Sequence, residues 1–356
     1  MIKFNLLLLF VFLSQQHFAQ THRVKMLFAG DAMQHKSQIE DAKKEGGKYD
    51  YSLYFKHVEQ VIKKADVAVI NFEVTMGGKP YTGYPTFSAP DEFAEAIKNA
   101  GFNVFLTANN HSVDRGKKGI ERTIKQLDSL DVVHTGTFKD SLEREIYYPL
   151  LMLKDGIRIA MLNYTYGTNG IPVPKPNIVN LIDTVQIKKD IADSKKLGAD
   201  IIIANMHWGD EYVLRQNREQ TKLANFLVDN GVRLVIGNHP HVVQPVDIRK
   251  EGDSIKSIIV YSLGNYISGM RTINTSGGMV VNINISKEPR QTVSIDSFDY
   301  SLVWTHKPKV NNKFTNFTLL PVNEYETEEV KEVLGADYKE MESFAKAARE
   351  AIESLW

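Results

Sequence analysis

The feature that most constrains the fold is an alternation of short apolar runs with amphipathic segments over residues 24–263. Each apolar run has four to eight residues and many β-branched side chains, which predicts strands. The segments between them place apolar residues at helical spacing, and strands that alternate with helices are typical of an α/β sandwich. The predicted strands are 24–29, 67–72, 103–106, 157–164, 201–206, 232–236 and 257–263, and the predicted helices are 51–64, 91–100, 117–130, 186–197 and 216–230.

The C-terminal part of the chain has a different pattern. From residue 277 onward apolar residues alternate with polar ones, at 279–286, 291–296 and 314–319, which predicts antiparallel hairpins that close the sheet. Residues 328–355 are rich in Glu and Lys and predict a last, solvated helix. We therefore expect a main domain at 21–286 and an extension at 287–356 that packs on the same domain.

The first twenty residues have the pattern of a signal peptide. Lys3 precedes an apolar run at 6–13, and a polar stretch closes in Phe18-Ala19-Gln20. This run is far shorter than the roughly 20 residues needed to cross a bilayer, so we expect cleavage at about residue 20 and no stable membrane span afterwards. Export of a chain with 0 cysteines fits the bacterial periplasm or the extracellular space.

Charge and cysteine content exclude several classes of function. With 43 basic and 43 acidic residues, the chain lacks the positive field that gathers nucleic acid, so no nucleic-acid partner is expected. The absence of cysteine excludes disulfides, thiolate metal sites and cysteine nucleophiles.

Residues that can bind metal or transfer a proton follow most of the predicted strands. Each has an ordinary explanation by itself, such as a turn or a helix cap. In open α/β sheets, however, ligands bind beyond the carboxyl ends of the strands, so these residues are expected to converge. In the pair His239-Pro240-His241, an extended segment would present both imidazoles on one side. The residues at these ends are Asp31, Glu73, Asn110, His111, His207, His239, His241 and Asn265.

This mixture of carboxylate, amide and imidazole groups predicts a metal centre. Without thiolates, the metals that suit it are Mn, Zn or Fe. The number of candidate ligands exceeds the four of a structural zinc site and predicts two divalent ions, which in enzymes clamp the attacking and leaving oxygens of a displacement. The pattern therefore favours hydrolysis of a phosphoester or a similar bond.

Together these motifs resemble a known family. Gly30-Asp31-Ala32-Met33, Asn71-Phe72-Glu73, Asn109-Asn110-His111, His207-Trp208-Gly209, His239-Pro240-His241 and Ser262-Leu263-Gly264-Asn265 resemble, in order, the motifs of the capsule synthesis protein CapA family. That family is named for poly-γ-glutamate capsule biosynthesis and is a divergent branch of the calcineurin-like metallophosphoesterases. The resemblance implies a four-layer αββα sandwich with the site at the sheet edge.

The resemblance also implies roles for individual residues. Asp31 and His241 would bind the first metal, Glu73 would bridge, and Asn110, His207 and His239 would bind the second. His111 would protonate the leaving group and Asp114 would orient it. Met33 stands where the classical calcineurin-like enzymes have a histidine, so one ligand of the first metal is missing unless His35 replaces it, and Glu73 stands where those enzymes have the bridging Asp. The expected substrate contacts are His35, Arg115, Tyr164 and Asn265, with aromatic packing as the equal alternative for Tyr164.

Three functions follow as hypotheses. The leading one is an exported metal-dependent hydrolase, phosphoesterase-like, that acts on an anionic small molecule or envelope polymer. The second is a factor that assembles or binds poly-γ-glutamate with little catalysis, which the missing first-motif histidine favours. The third is a hydrolase of γ-glutamyl amides. The intact His111 favours an enzyme.

Overall fold

The computed structural model describes residues 20–356, so the predicted signal peptide lies outside the described residues except for Gln20. The strands are β1 His22–Ala32, β2 Val67–Phe72, β3 Val104–Leu106, β4 Val133–Thr135, β5 Thr137–Phe138, β6 Leu150–Lys154, β7 Ile157–Thr165, β8 Ile178–Val179, β9 Ile201–His207, β10 Leu234–Asn238, β11 Val246–Glu251, β12 Ser254–Val260, β13 Asn265–Ile267, β14 Gly277–Lys287, β15 Ser294–His306, β16 Lys309–Val310, β17 Lys313–Phe314 and β18 Thr318–Pro321. The α-helices are α1 Lys36–Ala42, α2 Ser52–Phe55, α3 Glu59–Ile62, α4 Asp91–Ala100, α5 Gly116–Ser129, α6 Ser141–Tyr147, α7 Thr184–Lys196, α8 Arg218–Asp229, α9 Val322–Tyr325, α10 Glu328–Leu334 and α11 Ala336–Glu353.

Fourteen strands form one hydrogen-bonded sheet in the order β4-β3-β2-β1-β14-β15-β12-β10-β9-β7-β6, with β11, β13 and β18 attached to β12, β1 and β15. The sheet has two halves, which run in this order from β4 to β15 and from β12 to β6, and the two halves face one another. Val69 on β2 and Ile203 on β9 belong to the same buried cluster although their strands lie far apart in the order. The halves meet at β12 and β15, which pair only through Ile255 and Ile295.

Helices cover the outer face of each half. Because side chains alternate along a strand, Val69 faces the centre while Ile70 faces outward, where it packs in one cluster with Phe55 of α2 and Ile97 of α4. On the other half, Val235 of β10 packs with residues of α7 and α8. These are the four layers of an αββα sandwich, so the predicted fold class is confirmed. Burial of each such aliphatic side chain contributes about 1.5–3 kcal/mol.

Several predicted elements differ from the structure. The helix expected over 51–64 is divided into α2 and α3. The hairpin β14–β15 lies inside the sheet, between β1 and β12, because its alternate residues Val281, Ile283 and Ile285 are fully buried. The strand expected over 314–319 was placed too early, since β18 begins at Thr318.

The last helix is not a solvated cover. Gly335, with a φ of 56°, separates α10 from α11. Met341, Phe344 and Ala348 of α11 are at helical spacing and join the central cluster between the two halves of the sheet. The Glu and Lys residues form only its outer face. Among the described residues, no helix combines the length and the apolar character needed to cross a membrane.

Parallel strands in both halves place their carboxyl ends at one edge. β1 runs parallel to β2, with Asp31 beside Asn71, and β9 runs parallel to β10, with His207 beside Asn238. At this edge the backbone of β1 closely approaches that of Gly264, and the Asp31 amide donates to the Gly264 carbonyl at 2.9 Å. A Cβ on Gly30 would lie 1.9 Å from the same carbonyl oxygen, so the approach requires glycine.

Candidate metal centre

The strand ends bring the predicted metal ligands together in the interior. All six are at most 3% exposed, and they come from β1, β9 and the segments that follow β2, β3 and β10. Their proximity results from the parallel register, since they are separated by up to 210 positions in the sequence. These residues are Asp31, Glu73, Asn110, His207, His239 and His241.

Glu73 lies at the centre of this group. Its Oε1 is 3.6 Å from His207 Nε2 and 3.9 Å from His241 Nε2. This oxygen is buried and has no hydrogen-bond partner in the described part of the chain. Burial, and next the nearby Asp31 carboxylate, raise the pKa of Glu73 well above its usual range. A buried carboxylate oxygen left without a partner is the arrangement expected of a group that awaits a cation.

Glu73 also belongs to two sets of side chains whose ligand atoms lie within 4.8 Å of one another. One set joins Glu73 with His239 and His241, and the other joins it with Asp31 and His207. His239 Nδ1 is a second buried atom without a hydrogen-bond partner. The donor set therefore fits divalent metal, with Glu73 at the position shared by the two sets.

The imidazoles of His207 and His239 are neutral at ordinary pH. Burial, followed by the neighbouring His239, lowers the pKa of His207 well below its usual value. Burial likewise lowers the pKa of His239 to about 3. Metal ions bind the neutral form of histidine, so these shifts favour ligation over proton binding.

Asn71 connects the two carboxylates. Its Nδ2 donates to Asp31 Oδ1 at 2.7 Å and to Glu73 Oε2 at 3.2 Å, and lies 3.3 Å from His207 Nδ1. This amide reduces the repulsion between two neighbouring acids. The sequence interpretation gave Asn71 no role, although its position two residues before Glu73 on the same strand face was the available signal.

The His239-Pro240-His241 segment was predicted to be extended, and this was wrong. Both histidines have positive φ values, 99° and 59°, so the chain bends here. The two rings nevertheless lie 5.8 Å apart. His241 Nδ1 is 3.0 Å from Asp31 Oδ2 and 3.1 Å from Asn265 Oδ1, so Asn265 contacts this histidine directly.

His111 and Asp114 form a buried pair next to the centre. His111 Nδ1 lies 2.7 Å from Asp114 Oδ2, which also accepts the amide of Phe87 at 2.7 Å. The Phe87 ring packs edge-on against the imidazole at 4.6 Å between ring centres. The neighbouring Asn110 places Oδ1 2.9 Å from His207 Nε2, which links the pair to the metal ligands.

The other three predicted substrate contacts have different surroundings. His35 is the residue that caps the N-terminus of α1. Its Nδ1 accepts a hydrogen bond from the Gly269 amide at 3.1 Å, and burial lowers the pKa of the His35 imidazole to about 4. It lies outside both sets of candidate ligands. Arg115 donates to Pro80 O at 3.1 Å and so holds the 77–82 loop.

The structure corrects the prediction that Tyr164 contacts the substrate and favours the alternative of aromatic packing. Tyr164 is fully buried in the cluster under α7, and its hydroxyl donates to Asp190 Oδ2 at 2.7 Å, so it cannot line a cleft. The aromatic residues at the rim are instead Tyr166, whose ring centre is 4.6 Å from that of His239, and Tyr212, 6.1 Å from that of His241. Glu211 also reaches the rim, with Oε1 4.0 Å from His241 Nε2.

Comparison with known proteins yields related sequences and folds. Residues 25–270 match the family model described as Bacterial capsule synthesis protein PGA_cap. The capsule biosynthesis protein CapA of Bacillus anthracis is 31% identical over 280 residues, or 75% of this chain and 65% of that protein. The PGA biosynthesis protein CapA of Bacillus subtilis is 28% identical over 65% of this chain and 61% of that protein. The matches thus span less than two thirds of either relative.

Among solved structures, the calcineurin-like phosphoesterase YfkN from Bacillus subtilis aligns over 92% of this chain and 100% of that chain, with a TM-score of 0.46 and 11% identity. The family match covers the segment that carries the metal-ligand candidates, from Asp31 through His241. The chain therefore belongs to the bacterial capsule synthesis protein family PGA_cap.

Proposed function

We propose that this protein is an exported, divalent-metal-dependent hydrolase that acts on an anionic envelope or extracellular substrate. The observation that carries the proposal is the buried, unpartnered Oε1 of Glu73, shared by two sets of candidate ligands. We further propose that two ions would be held by Asp31, Glu73, Asn110, His207, His239 and His241, with Glu73 contributing to both, as it does in both sets. The family resemblance divides the other ligands differently from these sets, with Asp31 and His241 at the first ion and Asn110, His207 and His239 at the second. When bound, such ions activate water and stabilise negative charge on the reacting group.

The protein's own contribution to the chemistry centres on His111. Its Nδ1 is held by Asp114, which leaves Nε2 to donate a proton to the departing oxygen or nitrogen. The nearby carboxylate also stabilises the protonated ring before transfer. The edge-on Phe87 ring fixes the imidazole plane, so the proton is delivered in one direction.

Polymer binding with little catalysis is the second candidate. Met33, fully buried, occupies the place where, by the family resemblance, classical calcineurin-like enzymes have a metal-binding histidine. His35 lies outside both sets of candidate ligands, which supports a first site without a substitute for that histidine. The relatives' names, which concern capsule and PGA biosynthesis, support a polymer such as poly-γ-glutamate as the substrate or bound chain.

Activity assays separate these candidates. Protein loaded with Mn²⁺ or Zn²⁺ is tested on p-nitrophenyl phosphate, bis(p-nitrophenyl) phosphate and γ-glutamyl p-nitroanilide. A hydrolase should lose activity by about 100-fold or more in His111→Ala with its metal content retained. His57→Ala, at an exposed histidine, is the matched control. Turnover of the anilide alone supports the γ-glutamyl amide hydrolase, whereas no turnover by any metal-loaded form overturns the hydrolase proposal.

A further inference from the structure

A cleft of about 850 Å³ leads away from the metal centre. Tyr212, one of its walls, packs against His241, and Met270, another, contacts the Asn265 amide through its sulfur at 3.4 Å. Tyr212 therefore contacts both His241 and the cleft. Asn265, which contacts His241, reaches the cleft through Met270. The exposed side chains of Tyr212 and Ile273 give its walls apolar surface.

A second cleft of about 580 Å³ continues on the other side of Arg271, which lines both. The hairpin β16–β17 forms one wall of this second cleft and contributes Lys309, Lys313 and Phe314. Together the two clefts define a path from the metal centre to this hairpin.

Cations collect at the outer end of the path. Arg271 Cζ lies 5.7 Å and Lys309 Nζ 5.4 Å from the centre of the same Phe314 ring. Within residues 20–356, no carboxylate lies within ion-pair distance of Arg271, Lys309 or Lys313. Like charges gathered on one ring repel each other, and a bound anion would relieve that repulsion.

Two carboxylates in the second cleft do not neutralise this cluster. Asp41 accepts the backbone amides of Asn316 at 2.7 Å and Phe317 at 3.2 Å. Glu40 lies 3.7 Å from the ammonium of Lys36. Within the described residues, neither acid lies within ion-pair distance of Arg271, Lys309 or Lys313, and these three cations outnumber the two carboxylates in the second cleft.

We propose that Arg271, Lys309 and Lys313 form a subsite for an acidic polymer, and that the polymer extends along the clefts to the metal centre. A chain with a carboxylate on each unit and methylenes between them fits this path. Its carboxylates meet the cations, while its methylenes pack on Tyr212 and Ile273, which are exposed in the first cleft. Polyphosphate has no apolar part to use those walls. This proposal depends on the proposed function in one respect, because the metal centre toward which the polymer extends is the one proposed above.

Binding of a fluorescently labelled poly-γ-glutamate oligomer, measured by anisotropy with the full mature protein, tests the subsite. The triple variant Arg271→Gln/Lys309→Gln/Lys313→Gln should bind at least about tenfold more weakly. Lys117→Gln/Lys118→Gln/Lys125→Gln, on exposed positions of α5, removes the same charge and should change binding by less than about twofold. Equal affinity of wild type and the first variant, or equal losses in both variants, overturns the proposal.

Two further measurements separate the subsite from the hydrolase. Glu73→Gln should lose metal-dependent turnover and weaken polymer binding by less than the triple variant does, because Glu73 lies outside the cationic cluster. If no substrate is turned over but the triple variant still loses binding, the subsite stands and the hydrolase falls. A polyphosphate of equal charge that binds more tightly than the glutamyl polymer overturns the assignment of ligand class. Melting temperatures close to that of wild type establish that each variant is folded.

Discussion

Glu73 Oε1 lies 3.6 Å from His207 Nε2, and both side chains are fully buried. Because Asp31 is close by, the Glu73 carboxylate is unfavourable without a cation. We predict that Glu73→Gln, measured without metal, is more stable than wild type by about 1–3 kcal/mol in urea unfolding at pH 7. With Mn²⁺ present, only wild type should gain stability. Glu329→Gln, at an exposed position, is the control; equal metal-dependent gains in wild type and Glu73→Gln would contradict this role.

Asp114 positions His111 through the 2.7 Å contact. Asp114→Asn keeps an oxygen acceptor and removes the charge that stabilises the protonated imidazole. We expect kcat to fall by about 10–100-fold with metal content unchanged. If metal content falls together with kcat, Asp114 maintains the structure of the centre instead.

Gly30 allows β1 to approach the backbone at Gly264, since a Cβ would lie 1.9 Å from the Gly264 oxygen. We predict that Gly30→Ala destabilises the protein by about 2–4 kcal/mol and weakens metal binding, because Asp31 follows directly. Gly167→Ala is the matched control, since no atom lies within 4 Å of its Cβ position and its φ is not positive. Similar unfolding free energies for the two variants would show that the approach is not required.

Lys307 gives the protein a defined pH dependence. Burial lowers its pKa to about 8, although Glu340 and Asp337 partly oppose the shift. Between pH 8 and its unfolded pKa of about 10.4, the unfolded chain binds more protons, so this group makes stability rise with pH.

Lys307→Met should remove that rise and stabilise the protein at pH 7 by about 1–3 kcal/mol. The difference in unfolding free energy between the two proteins, followed from pH 7 to about 10.5, measures the effect. A difference that does not change with pH would contradict the burial of the charged group. Lys346→Met, at an exposed position on α11, is the control.

The parts of the fold and site that depend on local sequence pattern and on the order of the strands could be predicted from the sequence. Short apolar strands that end in Asp31, Glu73 or His207 predicted an α/β sandwich and a convergent edge, because parallel strands bring their ends together. The four αββα layers were what the family resemblance implied. The helix α4 begins and ends as predicted, since Pro90 and Gly101 mark its limits.

The remaining features depend on tertiary contacts that periodicity does not contain. Tyr164 and Tyr166 look equivalent in the sequence, yet only Tyr166 reaches the site, because the strand β7 ends between them at Thr165. The bend at His239-Pro240-His241 is set by the surrounding fold. The cations of the proposed polymer subsite come from a loop and a late hairpin, where no motif marks them.

The measurement that tests the central claim most directly is the metal content of the purified mature protein after incubation with Mn²⁺ or Zn²⁺ and desalting. Elemental mass spectrometry should find about two ions per chain in wild type and almost none in His207→Ala/His239→Ala. His57→Ala/His134→Ala should equal wild type, because neither residue belongs to the candidate ligand sets. A wild type that retains no more metal than His207→Ala/His239→Ala would contradict the account.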